Sequence, residues 1–249
     1  MLQISHLYKN YGKFQAVRDL NLHVPKGDLF GFVGPNGAGK TTLIKLLCRL
    51  YDPTEGVILL NGIDIRKYRY DEYMDIFSVV FQDFKLFALP LGQNVATAQH
   101  YDVARAADCL QKAGFSDRLA RMPKGLDTCL YKDLDEDGVT ISGGEAQKIA
   151  IARALYKDAP FIVLDEPTAA LDPVAEAEIY AKFNEIAGDK TAIYISHRLS
   201  SCQFCDEIAV FDHGEVVQQG THEELLGEPD GKYYELWNAQ AQYYTEESA

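Results

Sequence analysis

The stretch that decides the fold of this chain is Gly34-Pro35-Asn36-Gly37-Ala38-Gly39-Lys40-Thr41. It follows the pattern G-x-x-x-x-G-K-[ST], and it lies between a short apolar run and a helical pattern. Glycines let backbone N–H groups approach phosphate oxygens, and a helix start adds about half a positive charge. Strand, loop and helix in that order predict a phosphate-binding loop in an α/β core.

Two side chains of the loop have separate tasks. Lys40 is placed to reach the β- and γ-phosphates of a nucleotide, and the Thr41 hydroxyl suits Mg²⁺, which prefers oxygen ligands. The alternative is a glycine-rich turn beside a surface lysine. Average composition would produce the pattern in on the order of one chain in a hundred, and the strand and helix context makes that alternative rarer still.

Three continuous apolar runs predict parallel strands, because strands covered by helices on both faces show no alternation. These runs are 29–33, 161–164 and 192–195. Helical patterns follow them at about 40–50, 173–187 and 198–204. Alternation of apolar and polar residues in 20–24 predicts an antiparallel strand with one face in water.

The chain between residues 92 and 157 is helix-like and has no convincing strand pattern. We therefore expect an α/β core with a wound, mainly parallel sheet and an antiparallel β part, interrupted by a helical insertion. The expected bounds are 1–90 and 158–249 for the core and 91–157 for the insertion. The aromatic and glutamine-rich tail, 233–244, predicts one more helix.

Composition bounds the function. The chain has 249 residues, 47% hydrophobic and 24% charged, which argues against disorder. Its net charge of −13 disfavours a nucleic-acid partner. No apolar run approaches the ~20 residues of a spanning helix and no signal peptide is visible, so we expect a soluble, cytosolic chain whose membrane part, if any, is another polypeptide. The five cysteines, which include a lone CxxC, are expected to be inert thiols.

Polar residues follow three of the strand-like runs. Asp165 and Glu166 come directly after 161–164, in the crevice where wound sheets bind ligands. Asp165 would hold Mg²⁺ through water, and Glu166 would orient the attacking water or accept its proton. Gln82, which follows the strand-like run 76–81, could touch the metal or the water, and His197, after the run 192–195, could donate a hydrogen bond to the γ-phosphate. For Gln82 and His197 the alternative is an ordinary polar residue at a strand end.

A second phosphate motif lies about 100 residues after the first. Ser142-Gly143-Gly144-Glu145 precedes a strong helix former and has the S-x-x-E spacing of a capping box. A capping box does not explain two glycines in the first turn, which lower helix stability, whereas an anion site made of exposed N–H groups does. One nucleotide could therefore be shared between two chains, each of which supplies one motif.

At this point the chain resembles, over nearly its whole length, the nucleotide-binding subunit of ATP-binding cassette (ABC) transporters. Six motifs in the order of that family carry the resemblance. They are GPNGAGKT (P-loop), Phe81-Gln82-Asp83 (Q-loop), ISGGEAQ (signature), FIVLDEPT (magnesium and base strand), Ala170-Leu171-Asp172 (D-loop) and Ser196-His197-Arg198 (switch histidine).

The resemblance implies a head-to-tail dimer that encloses two ATP molecules with Mg²⁺. Each ATP would lie between one P-loop, extended to Thr42, and the partner's Ser142-Gly143-Gly144. Tyr11 matches the aromatic residue that stacks on adenine, and the D-loop would contribute to the dimer. Two departures from the family pattern, Glu145 in place of Gln and Ala169 in place of Ser, bear on the rate of hydrolysis more than on binding.

The resemblance also implies a partner in the membrane. The opening is similar to stand-alone subunits, whereas the chain from LLCRLYDPTEG (46–56) onward is similar to exporter cassettes fused behind a membrane domain. We expect an ATPase that powers a transporter and lies on the cytoplasmic side of a membrane. The exporter-like segments favour an exporter over an importer. The alternative is a soluble ABC-type ATPase that acts in assembly without transport. The sequence leaves open whether the chain is a subunit, an excised domain or a mosaic, whether it pairs with itself or a sister, and what is transported.

Overall fold

A computed structural model of the chain describes residues 1–168 and 187–246. These residues form two compact units. The first takes in the described residues of Met1–Phe77, Val163–Asp165 and Asp189–Ala249, and the second those of Ser78–Ile162 and Glu166–Gly188. The expected insertion, 91–157, lies within the second unit.

The regular elements of the described ranges follow one another in this order: β1 (Leu2–Tyr11), β2 (Phe14–Val24), β3 (Leu29–Val33), α1 (Lys40–Leu47), β4 (Glu55–Leu60), β5 (Ile63–Asp64), α2 (Tyr70–Met74), β6 (Phe77–Val80), α3 (Leu91–Ala96), α4 (Val103–Lys112), α5 (Ser116–Ala120), α6 (Gly143–Lys157), β7 (Phe161–Asp165), β8 (Thr191–Ile195), β9 (Glu207–Asp212), β10 (Glu215–Gly220), α7 (His222–Leu226) and α8 (Lys232–Glu246). Short 3₁₀ turns lie between some of them.

An antiparallel sheet in the first unit has the order β2-β1-β4-β5. Its central strand, β1, pairs Leu2 with Val24 of β2 on one side and with Leu60 of β4 on the other. The second half of β2 alternates between buried and exposed residues, so the sheet has one face in the core and one in water. This confirms the antiparallel strand that the alternation at 20–24 predicts.

The first unit also contains the parallel strands, in the order β10-β9-β3-β8 followed by the end of β7. β3 runs parallel to both β8 and β9, and β10 returns antiparallel to β9. Every residue of β3, β7 and β8 is buried, as expected for strands without alternation. The wound, mainly parallel sheet predicted from the three apolar runs is therefore present.

Two of the helices predicted after these strands are not found as α-helices in the described residues. The pattern at 198–204 does not form an α-helix: Leu199–Cys202 is a 3₁₀ turn, which follows a hydrogen bond from the Arg198 N–H to the Ser196 hydroxyl. Short, serine-rich segments favour such local bonds over helix nucleation. The pattern at 173–187 falls almost entirely outside the described residues.

The second unit has a helical core of its own. Leu91 of α3, Leu110 of α4 and Ile149 of α6 are fully buried in one apolar cluster, together with Phe115 and Leu130. The only strand-like pairings between 92 and 157 are isolated bridges, in agreement with the expected helical character of this segment. The side chain of Asp102 caps α4 by accepting from the Arg105 N–H.

No helix within 1–168 and 187–246 has both the length and the apolar character needed to cross a bilayer.

Candidate active site

The glycine-rich loop is held by close contacts that no side chain could share. Gly34 has φ +143°, and a Cβ there would lie 2.1 Å from the Phe211 carbonyl oxygen. Gly39 has φ +101°, and a Cβ there would lie 2.5 Å from the carbonyl oxygen of Ala16. Both positions combine left-handed backbone with backbone neighbours that cannot give way. The path of the loop therefore depends on glycine at its two ends.

Replacing Gly34 with alanine is expected to lower the free energy of unfolding by about 2–4 kcal/mol, because the new methyl group meets a backbone carbonyl in a strained conformation. Gly37→Ala is the matched control within the same loop, since φ there is also positive, +81°, but nothing lies within 4 Å of the added Cβ. That control is expected to cost about 1–2 kcal/mol for its backbone conformation alone. Urea unfolding of both variants measures the difference, and equal losses would contradict the contact argument.

The loop ends in a lysine whose side chain is buried. Lys40 is 6% exposed, and its ammonium donates to the carbonyl oxygens of Gly34, at 2.7 Å, and Pro35, at 3.0 Å. α1 begins at the same residue, and no side chain caps its N-terminus, so the N–H groups of its first turn keep their capacity for an anion. A positive side chain and a bare helix start together suit a polyphosphate.

An aromatic ring lies at the end of β1, beside this loop. Tyr11 is 42% exposed, and its ring meets that of Tyr51 edge to face with centroids 5.8 Å apart. Burial raises the pKa of the Tyr11 hydroxyl, and a hydrogen bond with Thr42 of α1 acts in the opposite direction. The Thr42 side chain, in the first turn of α1, therefore acts on the Tyr11 hydroxyl. The exposed part of the ring has the character needed to stack on a base.

Two oxygen donors of the first unit fit Mg²⁺. Asp165 is 1% exposed at the C-terminal end of β7, and Thr41 lies in the first turn of α1. A carboxylate and a hydroxyl are hard oxygen ligands, which Mg²⁺ prefers. Among the described residues, no group of three or more His, Cys, Asp or Glu side chains is placed to hold a metal. Mg²⁺ usually takes its remaining ligands from phosphate and water.

Glu166, in the second unit, has a strained backbone. Its φ of +50° lies in the left-handed region, which is uncommon for a residue other than glycine and tends to occur at functional sites. The Gln82 side-chain amide donates to Glu166 Oε2 over 2.9 Å. The Gln147 side-chain amide donates to the Glu166 carbonyl oxygen over 3.1 Å. Backbone and carboxylate are thus each held by a separate amide.

Gln147 was missed by sequence reasoning. It is 4% exposed on the otherwise apolar buried side of α6. A buried amide on such a helix needs a hydrogen-bond partner, and that requirement is the signal that could have marked it.

The switch histidine lies in the first unit, after β8. The His197 side chain is exposed, and its backbone carbonyl accepts from the Gln240 side chain. The same Gln240 side chain accepts from the Leu199 N–H over 2.9 Å. One amide of α8 therefore bonds to the backbone of the switch segment at two points, His197 and Leu199. No local sequence pattern indicates this contact, since the two segments are 43 residues apart.

The signature motif forms the start of α6. The Ser142 hydroxyl accepts from the Glu145 N–H over 3.3 Å, and the Glu145 carboxylate accepts from the Ser142 N–H over 2.8 Å. The predicted capping box is therefore present. It occupies the N–H groups of Ser142 and Glu145, which leaves those of Gly143 and Gly144 at the helix start.

A groove of about 740 Å³ lies within the second unit, between the Gln82 loop and the start of α6. Its lining includes Phe84, Lys85, Tyr131, Asp133 and Gln147. The groove is therefore mixed in character, with aromatic rings and one charge of each sign.

One wall of the groove is fixed by a buried network. Asn94, 1% exposed, bonds with both the N–H and the carbonyl of Phe87, and the Arg153 guanidinium donates to the Asn94 carbonyl over 2.8 Å and to that of Lys85. Burial lowers the pKa of Arg153. These contacts give segment 85–87 a defined path along the groove.

Comparison with protein families gives a match to the model described as "ABC transporter" over residues 17–169, more than half of the chain. The chain belongs to the ABC transporter family. Its fold is accordingly the ABC ATPase variant of the P-loop NTPase fold, and the resemblance carried by the six motifs is confirmed.

Individual relatives of this ABC chain are named as a flippase, a transport ATP-binding protein and an exporter. It is 40% identical over 219 residues to the "ATP-dependent lipid A-core flippase" of Cupriavidus pinatubonensis, covering 86% of the chain and 36% of that protein. It is 41% identical over 226 residues to the "Subtilin transport ATP-binding protein SpaT" of Bacillus subtilis, covering 90% and 36%. A solved "bacterial Atm1-family ABC exporter with ATP bound" matches with a TM-score of 0.89 and 36% identity, over 96% of the chain and 41% of that structure. The ABC chain thus spans about two fifths or less of the length of these proteins.

The two units of the ABC chain each contain part of the predicted site. The first holds Tyr11, the loop 34–42, Asp165 and His197. The second holds Gln82, Ser142-Gly143-Gly144 and Glu166, and brings Gln82 and Glu166 into direct contact. The D-loop, Ala170-Leu171-Asp172, lies outside the described residues, as does Ala169.

Proposed function

We propose that the chain is the ATP-hydrolysing, nucleotide-binding part of a membrane exporter and works on the cytoplasmic side of that membrane. In this proposal ATP closes a head-to-tail pair of such domains, and hydrolysis opens it. The partner domain is a second copy or a sister chain. The transported compound belongs to the membrane portion.

The observation that carries the proposal is the hydrogen bond between Gln82 and Glu166 directly after the buried Asp165. The family match alone implies ATP binding. The hydrogen bond adds a specific carboxylate, Glu166, that can serve hydrolysis. A left-handed backbone at that carboxylate, stabilised by Gln147, is the kind of strain that persists where function requires it.

Each residue then has a defined task in hydrolysis. Lys40 and the N–H groups of the loop 34–42 bind the β- and γ-phosphates. Thr41 and Asp165 would hold Mg²⁺, which when bound neutralises charge on the phosphate oxygens. Glu166 orients the attacking water and takes up its proton, while Gln82 keeps the carboxylate in place.

The remaining contacts surround the nucleotide. Tyr11 stacks on adenine, and His197 donates a hydrogen bond to the γ-phosphate. The Gly143 and Gly144 N–H groups at the start of α6 bind the γ-phosphate of the nucleotide held by the partner copy, since the capping box leaves them available. In this proposal the D-loop, Ala170-Leu171-Asp172, lines the contact between the two copies.

The groove of the second unit is the proposed docking place of the membrane portion. It borders Gln82, and thus the hydrolytic carboxylate, at one end and the signature helix at the other. A segment of the membrane portion bound there would contact both the Gln82 loop, which serves hydrolysis, and the signature helix, which serves dimer closure. The name of the solved relative, an Atm1-family ABC exporter, supports export as the direction.

Ala88→Arg is expected to reduce recovery of the chain with its membrane partner about tenfold or more, because the added side chain fills the groove and takes no existing contact away. Hydrolysis by the chain alone is expected to persist, since no residue assigned to the chemistry changes. Co-purification from detergent-solubilised membranes, alongside ATPase assays, measures both.

Val103→Arg is the matched control, an exposed apolar residue of the same unit at the start of α4 and outside the groove lining. It is expected to leave recovery unchanged. Equal recovery of both variants would remove the groove from the proposal. Purification of the parent chain only in complexes without a membrane protein would favour the soluble ATPase instead.

A further inference from the structure

The signature helix carries a carboxylate at the place where the proposed function needs an anion site. Glu145 is the third residue of α6, one position after Gly144. A negative side chain in the first turn stabilises the helix. It also repels a phosphate that approaches the same N–H groups. Glu145 and the phosphate are therefore two anions that compete for one helix start.

The structure places a guanidinium on this carboxylate. Arg118 of α5 has its Nε 2.8 Å from Glu145 Oε1, while Glu145 Oε2 accepts from the Ser142 N–H at 2.8 Å. The two carboxylate oxygens thus face different groups. A second guanidinium nitrogen of Arg118 donates to the Thr140 carbonyl over 3.3 Å, which ties the arginine to the segment just before the signature.

The ion pair between Arg118 and Glu145 is partly buried. The side chains of Arg118 and Glu145 are 35% and 26% exposed. An ion pair in such a setting is screened less by salt than one on an open surface. Arg118 Nε makes no hydrogen bond within the described ranges, so the contact is an ion pair, which offsets the charge of the carboxylate and attracts one of its oxygens toward α5.

We propose that Arg118 is a positioning residue for the signature motif. It keeps Glu145 folded back into the capping box and neutralises its charge, so that the Gly143 and Gly144 N–H groups can donate to the terminal phosphate of the partner-bound ATP. This inference rests on the proposed head-to-tail function. It also accounts for a chain that has Glu where the family pattern has Gln.

The test is a double-mutant cycle on the full chain, with ATP hydrolysis as the readout. Arg118→Met is expected to raise the ATP concentration for half-maximal hydrolysis about tenfold, through loss of a partly buried ion pair beside the phosphate site. The maximal rate is expected to change less than about threefold, since the general base is untouched. In the Glu145→Gln background, where no charge needs an offset, the same Arg118→Met change is expected to have an effect below about twofold.

Arg121→Met is the matched control, because Arg121 is exposed at the end of the same helix, α5. It is expected to leave the half-saturating ATP concentration unchanged. Urea unfolding of each variant separates positioning from a general loss of structure, since a merely structural role would lower stability in both backgrounds alike.

Two results would overturn the inference. One is a half-saturating concentration in Arg118→Met equal to that of the parent. The other is an equal effect of Arg118→Met in the parent and in the Glu145→Gln background, because the arginine would then not act through the carboxylate. Failure of the proposed function looks different: the parent chain itself would neither hydrolyse ATP nor dimerise with it, whatever stands at position 118.

Discussion

Replacing Glu166 with glutamine is expected to slow steady-state ATP hydrolysis by about 10²–10⁴-fold, the usual contribution of a general base. The glutamine keeps the size of the side chain and an oxygen that can accept the hydrogen bond from Gln82. It loses the ability to take up a proton. ATP binding is therefore expected to persist, so a closed dimer with intact ATP accumulates. Release of phosphate, the amount of ATP retained and the mass of the particle in solution measure the three effects.

Glu136→Gln is the control for this experiment, because it makes the same chemical change at an exposed carboxylate of the same unit. It is expected to leave turnover at the parent level. Unchanged turnover in Glu166→Gln would remove Glu166 from its role. Loss of ATP binding in that variant would instead show that the carboxylate serves the structure of the site.

The sequence was sufficient to predict β3, β7, β8, the second half of β2 and the helix that follows the glycine-rich motif, because the signals for these elements are local. The apolar runs that become β3, β7 and β8 are continuous, and the glycine-rich motif joins β3 directly to α1. Periodicity and a motif of eight residues depend on nearby positions alone. The same holds for the capping box, whose two partners are three residues apart. The prediction of a helix at 198–204 is wrong for a reason that is also local, since serine-rich turns compete with short helices.

The side-chain contacts within the site could not be predicted from sequence, because they join residues that are far apart along the chain. Gln82 is 84 residues from Glu166, and Arg118 is 27 residues from Glu145, so each pair depends on the path of the whole chain between them. Nothing in the residues near Glu166 indicates its left-handed backbone, which the surrounding structure imposes. Arginine on a short helix such as α5 gives no signal of its own. Such contacts become visible only once tertiary packing is known.

The division of residues between the two units has a mechanistic consequence under the proposed function. Phosphate and metal ligands (loop 34–42 and Asp165) belong to one unit, whereas Glu166 and the signature motif belong to the other. Binding and hydrolysis are therefore separable by mutation. A variant of the first group loses affinity for the nucleotide. In the second group, Glu166→Gln retains ATP in a closed dimer without turnover, whereas a variant of the signature motif impairs closure.

Replacing Lys40 with alanine is expected to weaken ATP binding about 10²-fold or more, since charge-assisted bonds to phosphate are the strongest that the loop offers. Equilibrium titration of the monomeric chain with a fluorescent ATP analogue measures the affinity. Lys45→Ala is the matched control, a lysine in the last turn of the same helix, and it is expected to bind as the parent does. Lys40→Met, which preserves side-chain volume, separates loss of charge from collapse of the loop. Retained affinity in both Lys40 variants would contradict the phosphate assignment, whereas loss in Lys40→Ala alone would assign the effect to packing around the carbonyls of Gly34 and Pro35.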